Sequence, residues 1–265
     1  MIVYLVAAYR FRQLSRMYQR QEPEIVEGFN GEDYLAGAHL LQSFVYADEF
    51  TETVLLKKCG SFMLDSGAYT FMQNTKKGSV DWDSYIERYA DFVRRNRIQK
   101  YLELDIDSVV GYDTVKRYRD RLESLVGWQS IPVWHTGRGQ RDFEDCAKRY
   151  PYVAIGGLVG TGDSEYARKY WKFFPWFIKT AHDNGAKIHA LGFTSMDGIR
   201  RYHFDSVDSS GWTAGNRYGH LFQFDGQTIK TTRAPEGYRL ASSKATAVRN
   251  FREWIKFQRW AETHL

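Results

Sequence analysis

Cysteine is scarce: only Cys59 and Cys146 occur in 265 residues. Two thiols cannot build a disulfide framework, and they lack the paired-ligand spacing of a structural zinc site, so a reducing compartment is expected. Apolar runs are short as well. The N-terminal Met1-Ile2-Val3-Tyr4-Leu5-Val6-Ala7-Ala8 has no basic leader, is too short to span a bilayer, and reads as a buried strand. The expectation is a cytoplasmic protein with no membrane partner. No low-complexity tract, internal repeat or Pro/Ser-rich linker marks a boundary, so residues 1–265 are expected to form a single domain. No Gly-x-Gly-x-x-Gly follows the first strand, which weakens a dinucleotide-binding open sheet. There is no His-x-His or bridging lysine pattern either, and that ranks a metal-dependent hydrolase low.

What is present suits one large soluble domain. Hydrophobic residues make up 43% and charged residues 26%. The formal charge is +5 and the sequence pI about 9.0. That balance is compatible with a polyanionic partner, although many proteins this basic bind no nucleic acid.

Runs of apolar and β-branched residues bounded by turn residues predict strands at 2–7, 41–46, 62–65, 101–105, 131–134, 152–156, 187–191 and 204–207. Helical patterns lie between most pairs. The clearest has Trp82, Tyr85, Ile86, Tyr89 and Val93 on one face behind Asp81 as N-cap. Segment 113–126 reads similarly, and Pro175 divides 163–184 into two helices. Eight strands alternating with helices predict a (β/α)8 TIM-type barrel, with an open doubly wound sheet as the runner-up. Beyond the barrel, Asp225-Gly226 predicts a hairpin with a type I′ turn. The tail at 242–263 predicts a helix with Val248, Phe251 and Ile255 on an apolar side and Arg249, Arg252, Lys256 and Arg259 on a basic one.

In such a barrel the reacting groups follow the carboxyl ends of the strands. Those positions hold Asp65 and Ser66, Asp105 and Asp107, His135, Gly156 and Gly157, and Asp208. Singly, each has a plainer reading: Asp65 a turn or cap, His135 a hydrogen-bonded structural histidine, the glycines a bend. Jointly, they ring one mouth with carboxylates. Two carboxylates across a cleft support displacement at a sugar carbon, in which one attacks C1′ and the other handles protons. Tyr69, Phe71, Trp134 and Trp212 are possible stacking rings, although most aromatic residues of a barrel belong to its core. Tyr9-Arg10-Phe11-Arg12 with Arg16 and Arg20 interleaves rings and charges as a backbone-tracking patch would, and equally as a solvated helix face would.

Three ordered motifs resemble the tRNA-guanine transglycosylase superfamily. Leu64-Asp65-Ser66-Gly67 is similar to its Val/Leu-Asp-Ser-Gly-Gly-Phe motif, and Ala154-Ile155-Gly156-Gly157-Leu158 matches its Ala-Ile-Gly-Gly-Leu motif. Phe204 to Phe222 resembles the segment that ends in Arg-Asn-Gly-His-Leu-Phe. The resemblance implies a barrel that exchanges guanine in a nucleic acid for a free 7-deazaguanine base, with no metal or organic cofactor. Asp65 would be the general acid/base and Asp105 the carboxylate that recognises the heterocycle. Asp208 would be the nucleophile by ungapped counting from Gly219-His220-Leu221-Phe222; a literal match of Phe204-Asp205-Ser206-Val207 selects Asp205 instead. Ser66, Gly156, Gly157 and Leu158 would line the base site, and Arg217 would sit on a sugar–phosphate contact loop. His135 stands where the family has glutamine, and Gly211-Trp212-Thr213 where it has Pro-Thr-Arg. No cysteine follows Cys146, so the family's zinc-binding element is absent. These departures resemble the compact, often phage-encoded relatives that act on DNA, which would place the protein in a host cytoplasm. tRNA is the alternative substrate, and a non-catalytic nucleic-acid-binding barrel the alternative role.

Overall fold

Strand and helix alternate along most of the chain, as the apolar pattern requires. The computed structural model describes residues 1–8, 35–67, 70, 80–157, 169–193, 195–213, 219–233 and 243–265. In chain order these form β1 (Ile2–Val6), β2 (His39–Ser43), β3 (Ser61–Asp65), α1 (Trp82–Arg95) and α2 (Tyr112–Val126). There follow β4 (Val133–Trp134), α3 (Gln140–Arg149), β5 (Tyr152–Ile155), α4 (Phe174–Asp183), β6 (Lys187–Ala190), α5 (Met196–Arg201) and β7 (Ser206–Ser209). The last elements are β8 (His220–Phe224), β9 (Ile229–Arg233) and α6 (Ser243–His264). Contacts group these residues into two compact units: 1–41, 48–61 and 192–265 in one, 42–47 and 62–191 in the other.

In the first unit β1 runs parallel to both β2 and β7, pairing Leu5 with Leu40 and Tyr4 with Asp208. β7 begins two residues later than the apolar run at 204–207 predicts, because Phe204 turns in against Phe193, 5.8 Å between ring centres. The long helix α6 buries Val248, Phe251 and Ile255 as expected, while Arg249, Lys256 and Arg259 stay exposed. Gln258, also buried, donates from Nε2 to Val3 O at 2.6 Å and His39 O at 2.8 Å, and its Oε1 accepts from His39 N at 3.0 Å. One side-chain amide thus completes backbone hydrogen bonding in two strands.

The β8–β9 hairpin is antiparallel and lies on α6, where helix side chains substitute for a further strand. Phe222 N donates to Asn250 Oδ1 at 2.9 Å, Asn250 Nδ2 donates to His220 O at 3.0 Å, and Phe224 N donates to Glu253 Oε2 at 2.8 Å. The turn differs from the type I′ expected. Gly226 has φ +101° but Gln227 has no positive φ, so the two successive left-handed residues of a type I′ turn are not present. The Asp225 carboxylate accepts from Gln227 N at 3.0 Å and Thr228 N at 2.9 Å and pairs with Lys230. The side chain rather than a second left-handed residue closes the loop.

In the second unit the strands again lie parallel. β3 meets the next segment at Leu64–Tyr101, that segment meets Ile131 through Leu102, and β4, β5 and β6 follow side by side. Only Tyr101 and Leu102 of the predicted 101–105 strand form bridges, because the chain turns at Leu104, whose carbonyl accepts from Ile106 N at 3.0 Å. The 41–46 run ends early for a related reason: Phe44 leaves the strand to pack on Tyr85, Tyr89 and Phe92. α1 starts where expected, with Ser84 N donating to Asp81 Oδ1 at 3.1 Å, and α4 carries Pro175 in its first turn. Among the described residues no helix is long and apolar enough to cross a membrane.

Two outcomes follow from these contacts. Gln258→Ala strands three buried backbone groups and is expected to cost about 2–5 kcal/mol in urea unfolding; an unchanged midpoint would show that the amide carries no load. The Thr228 amide, the Lys230 ammonium and the Gln227 amide hold the Asp225 carboxyl down at about 2, from an ordinary 3.8. The turn's contribution is therefore complete above the ordinary value and is lost as pH falls through about 2. The Gln227 and Thr228 amide resonances should shift with that midpoint; a midpoint near 4 would contradict it.

Candidate functional site

Parallel strands deliver their carboxyl ends to one side of a sheet, so the residues that follow each strand of the second unit are neighbours. Asp65 ends β3, and its Oδ2 accepts from Gly67 N at 3.0 Å, closing the Asp65-Ser66-Gly67 turn. The Tyr85 hydroxyl donates to Ser66 O at 2.5 Å. Gly67 has φ +84°, and a Cβ there would run into Val45 Cγ2 and lie 2.9 Å from Ser43 Oγ. Only glycine meets both demands. Burial and then the charge of Asp65 raise the phenols of Tyr85 and Tyr89, so both stay protonated donors. Tyr89 donates to Leu64 O at 3.1 Å and Leu102 O at 2.9 Å, tying the Asp65 strand to the segment that leads to Asp105.

On that next segment, Asp105 Oδ2 lies 3.1 Å from His135 Nε2. The side chains are 12% and 24% exposed, so both can reach a ligand while remaining largely enclosed. A carboxylate accepts only, so this contact places the imidazole proton on Nε2 and leaves Nδ1 an acceptor in the neutral ring. The other edge of the ring rests on the Gly156-Gly157 backbone. A Cβ on Gly156 would lie 2.8 Å from His135 Cε1, and one on Gly157, at φ +69°, would lie 3.0 Å from Nδ1. The glycine pair is the seat of His135. The Gly156 amide itself is committed to Trp134 O at 2.8 Å.

Behind the pair lies a set of charges that strand and helix patterns did not single out. Glu103 is fully buried, and its carboxylate accepts from Arg119 Nη1 at 3.2 Å, Arg138 Nη1 at 2.7 Å and Val133 N at 2.8 Å. Arg138 also grips Asp107, with Nε to Oδ1 at 3.0 Å and Nη2 to Oδ2 at 2.7 Å, and lies 4.2 Å over the Tyr112 ring. Burial pushes the Glu103 carboxyl up while Arg138, Arg119 and the Val133 amide pull it back. Burial alone would lower Arg138, but Glu103 and Asp107 outweigh it and hold the guanidinium above its ordinary value.

Asp208 belongs to the first unit. It lies within β7, is 7% exposed, and accepts from Gly192 N at 2.7 Å through Oδ1. Asp205 instead precedes β7, and its carbonyl accepts from Ile2 N at 2.9 Å. Trp212 and Trp134 are not stacking platforms. Trp212 is buried on Phe251 and donates to Val6 O at 2.7 Å; Trp134 is buried between Phe143 and Phe177 and donates to Gly139 O at 2.7 Å. Leu158, Arg217, Tyr69, Phe71 and the Tyr9-to-Arg20 patch lie outside the described residues. Of the expected site residues, Asp105, His135, Gly156 and Gly157 are in contact, with Asp65 and Ser66 at the end of the adjoining strand. Among the described residues no three His, Cys, Asp or Glu side chains group as metal ligands.

The seat of His135 can be tested by filling it. Gly156→Ala forces the imidazole off the backbone and should cost about 1–3 kcal/mol of stability through overpacking. A crystal structure of that variant should show His135 displaced from Asp105; an unmoved ring would remove the glycine from the site.

No protein-family model matches the chain, and no curated protein matches it. A solved structure does: that of a candidate fructose-1,6-biphosphate aldolase from Coccidioides immitis, 12% identical, with 98% of this chain and 86% of that chain covered at a TM-score of 0.50. At that identity the likeness speaks for the fold alone, a TIM-barrel-like α/β arrangement.

Proposed function

We propose that this chain is a base-exchange glycosyltransferase, built on a closed (β/α)8 barrel, that replaces guanine in DNA with a 7-deazaguanine base. The observation that supports this most is the alignment of Asp65, Asp105, His135 and Gly156 at the carboxyl ends of adjacent parallel strands. Asp105 Oδ1 has no hydrogen-bond partner among the described residues, so the carboxylate, held by His135 through Oδ2, offers an acceptor to an amide or amino N–H of a guanine-type edge.

Asp208 is the nucleophile in this reading, and its position inside β7, with Asp205 ahead of the strand, supports it over Asp205. Its carboxylate attacks C1′, forming a C–O bond as the C1′–N9 bond to guanine breaks. Asp65 supplies the proton that guanine takes with it. Asp65 then accepts the N9 proton of the incoming 7-deazaguanine, which attacks C1′ and releases Asp208. Every proton and electron pair is accounted for without a further reactant.

The test is incubation with DNA and with tRNA separately, each with labelled guanine and 7-deazaguanines, followed by nucleoside mass analysis. Incorporation into DNA is expected; incorporation into tRNA alone would move the substrate, and none into either would leave a binding protein. Asp208→Asn should abolish exchange and any covalent adduct, a loss of more than about 10³-fold, whereas Asp65→Asn should retain binding and slow turnover by about 10²–10⁴-fold. Full exchange by Asp208→Asn, with loss in Asp205→Asn, would reassign the nucleophile.

A further inference from the structure

The charges behind the Asp105–His135 pair are interlocked in a specific way. Arg138 binds Glu103, two residues before Asp105, and Asp107, two residues after it. Glu103 in turn binds the Val133 amide, two residues before His135, and the side chain of Arg138, three residues after it. The Arg138 amide closes the same turn by donating to His135 O at 2.9 Å. Each member of the pair is therefore held on both flanks by the segment that carries the other.

Stability does not explain this arrangement. Removing charges from water costs several kcal/mol per ion, and buried ion pairs are often no better than well-packed apolar residues of the same volume. Glu103, Arg119 and Arg138 have side chains only 0%, 2% and 2% exposed, so the desolvation cost falls on all three. What an apolar cluster could not supply is direction. A guanidinium fork fixes the position and angle of two carboxylates at once, and Arg138 is further held flat by Tyr112, whose hydroxyl donates to Asp142 at 2.5 Å.

We propose that Arg138 is the positioning residue of the site: it sets the 3.1 Å contact between Asp105 and His135, and thereby keeps the imidazole proton on Nε2 and the Asp105 carboxylate in place for a ligand. This rests on reading the pair as the heterocycle-binding part of the site. Arg138 touches no ligand in this scheme. It acts through the two turns that it joins, and a lysine in its place cannot bridge both carboxylates in one plane.

The experiment uses the full chain with ¹⁵N-histidine labelling, the His135 signals being identified by their loss in His135→Gln. In the parent protein at pH 8 the His135 nitrogen shifts should report protonated Nε2 and bare Nδ1. Arg138→Lys and Asp107→Asn should both average the two tautomers and weaken binding of free 7-deazaguanine at least tenfold. Asp107→Asn leaves Arg138 paired with Glu103, and so keeps the test alive if Arg138→Lys fails to fold. A tautomer and affinity unchanged in the variants that fold would overturn the positioning role. If the parent protein binds no heterocycle at all, the exchange reading fails, while the nitrogen shifts alone still decide whether Arg138 sets the pair.

Discussion

A carboxylate with no access to water must be answered by charge, and Glu103 is answered twice, by Arg119 and Arg138. That requirement organises the second unit. Arg119 projects from the otherwise apolar stripe of α2, Val115, Leu122 and Val126, and brings the helix onto the segment at Glu103. Arg138 holds the turn after β4. Val133 gives its amide to the same carboxylate, so the register of β4 is set by an acid on the neighbouring segment as well as by strand pairing.

The first unit meets much of its polar requirement with side-chain amides. Gln258 serves backbone atoms of β1 and β2, and Asn250 serves the outer edge of β8. Amides are adequate there because the groups to be satisfied are dipoles. Guanidiniums are needed in the second unit because the group is an ion. The contrast places the directional, strongly coupled charges beside Asp105 and His135.

Much of this was legible in the sequence. Among the described residues, runs bounded by turn residues located the parallel segments within a few residues, and of the residues at their ends Asp105, Gly156 and Gly157 are in contact with His135. The shifts at β2 and β7 come from Phe44 and Phe204, whose rings found aromatic partners that strand periodicity does not report, Tyr89 on α1 for the one and Phe193 for the other. Trp134 and Trp212 leave platform and core both open in the sequence for a similar reason: indole amphipathy suits a wet platform and a buried donor equally, and only the acceptor at Gly139 O or Val6 O decides. The Glu103 network did leave a mark. Glu103 interrupts the apolar run Tyr101-Leu102-Glu103-Leu104, and Arg119 interrupts the stripe of α2. Two charges of opposite sign, each on a face meant for the core, announce a buried pair; their sixteen-residue separation hid it.

The Gln258 bridge also orders events during synthesis. Val3 and His39 wait for a side chain 255 and 219 positions downstream, respectively, before their backbone groups are satisfied. Residues 62–191 leave the ribosome entire before α6 exists, so the second unit can consolidate around Glu103 while β1 is still short of its partner. β1 is made well before it can be finished, and until then its apolar residues, Val3, Tyr4 and Leu5, are the surface a chaperone would have to cover.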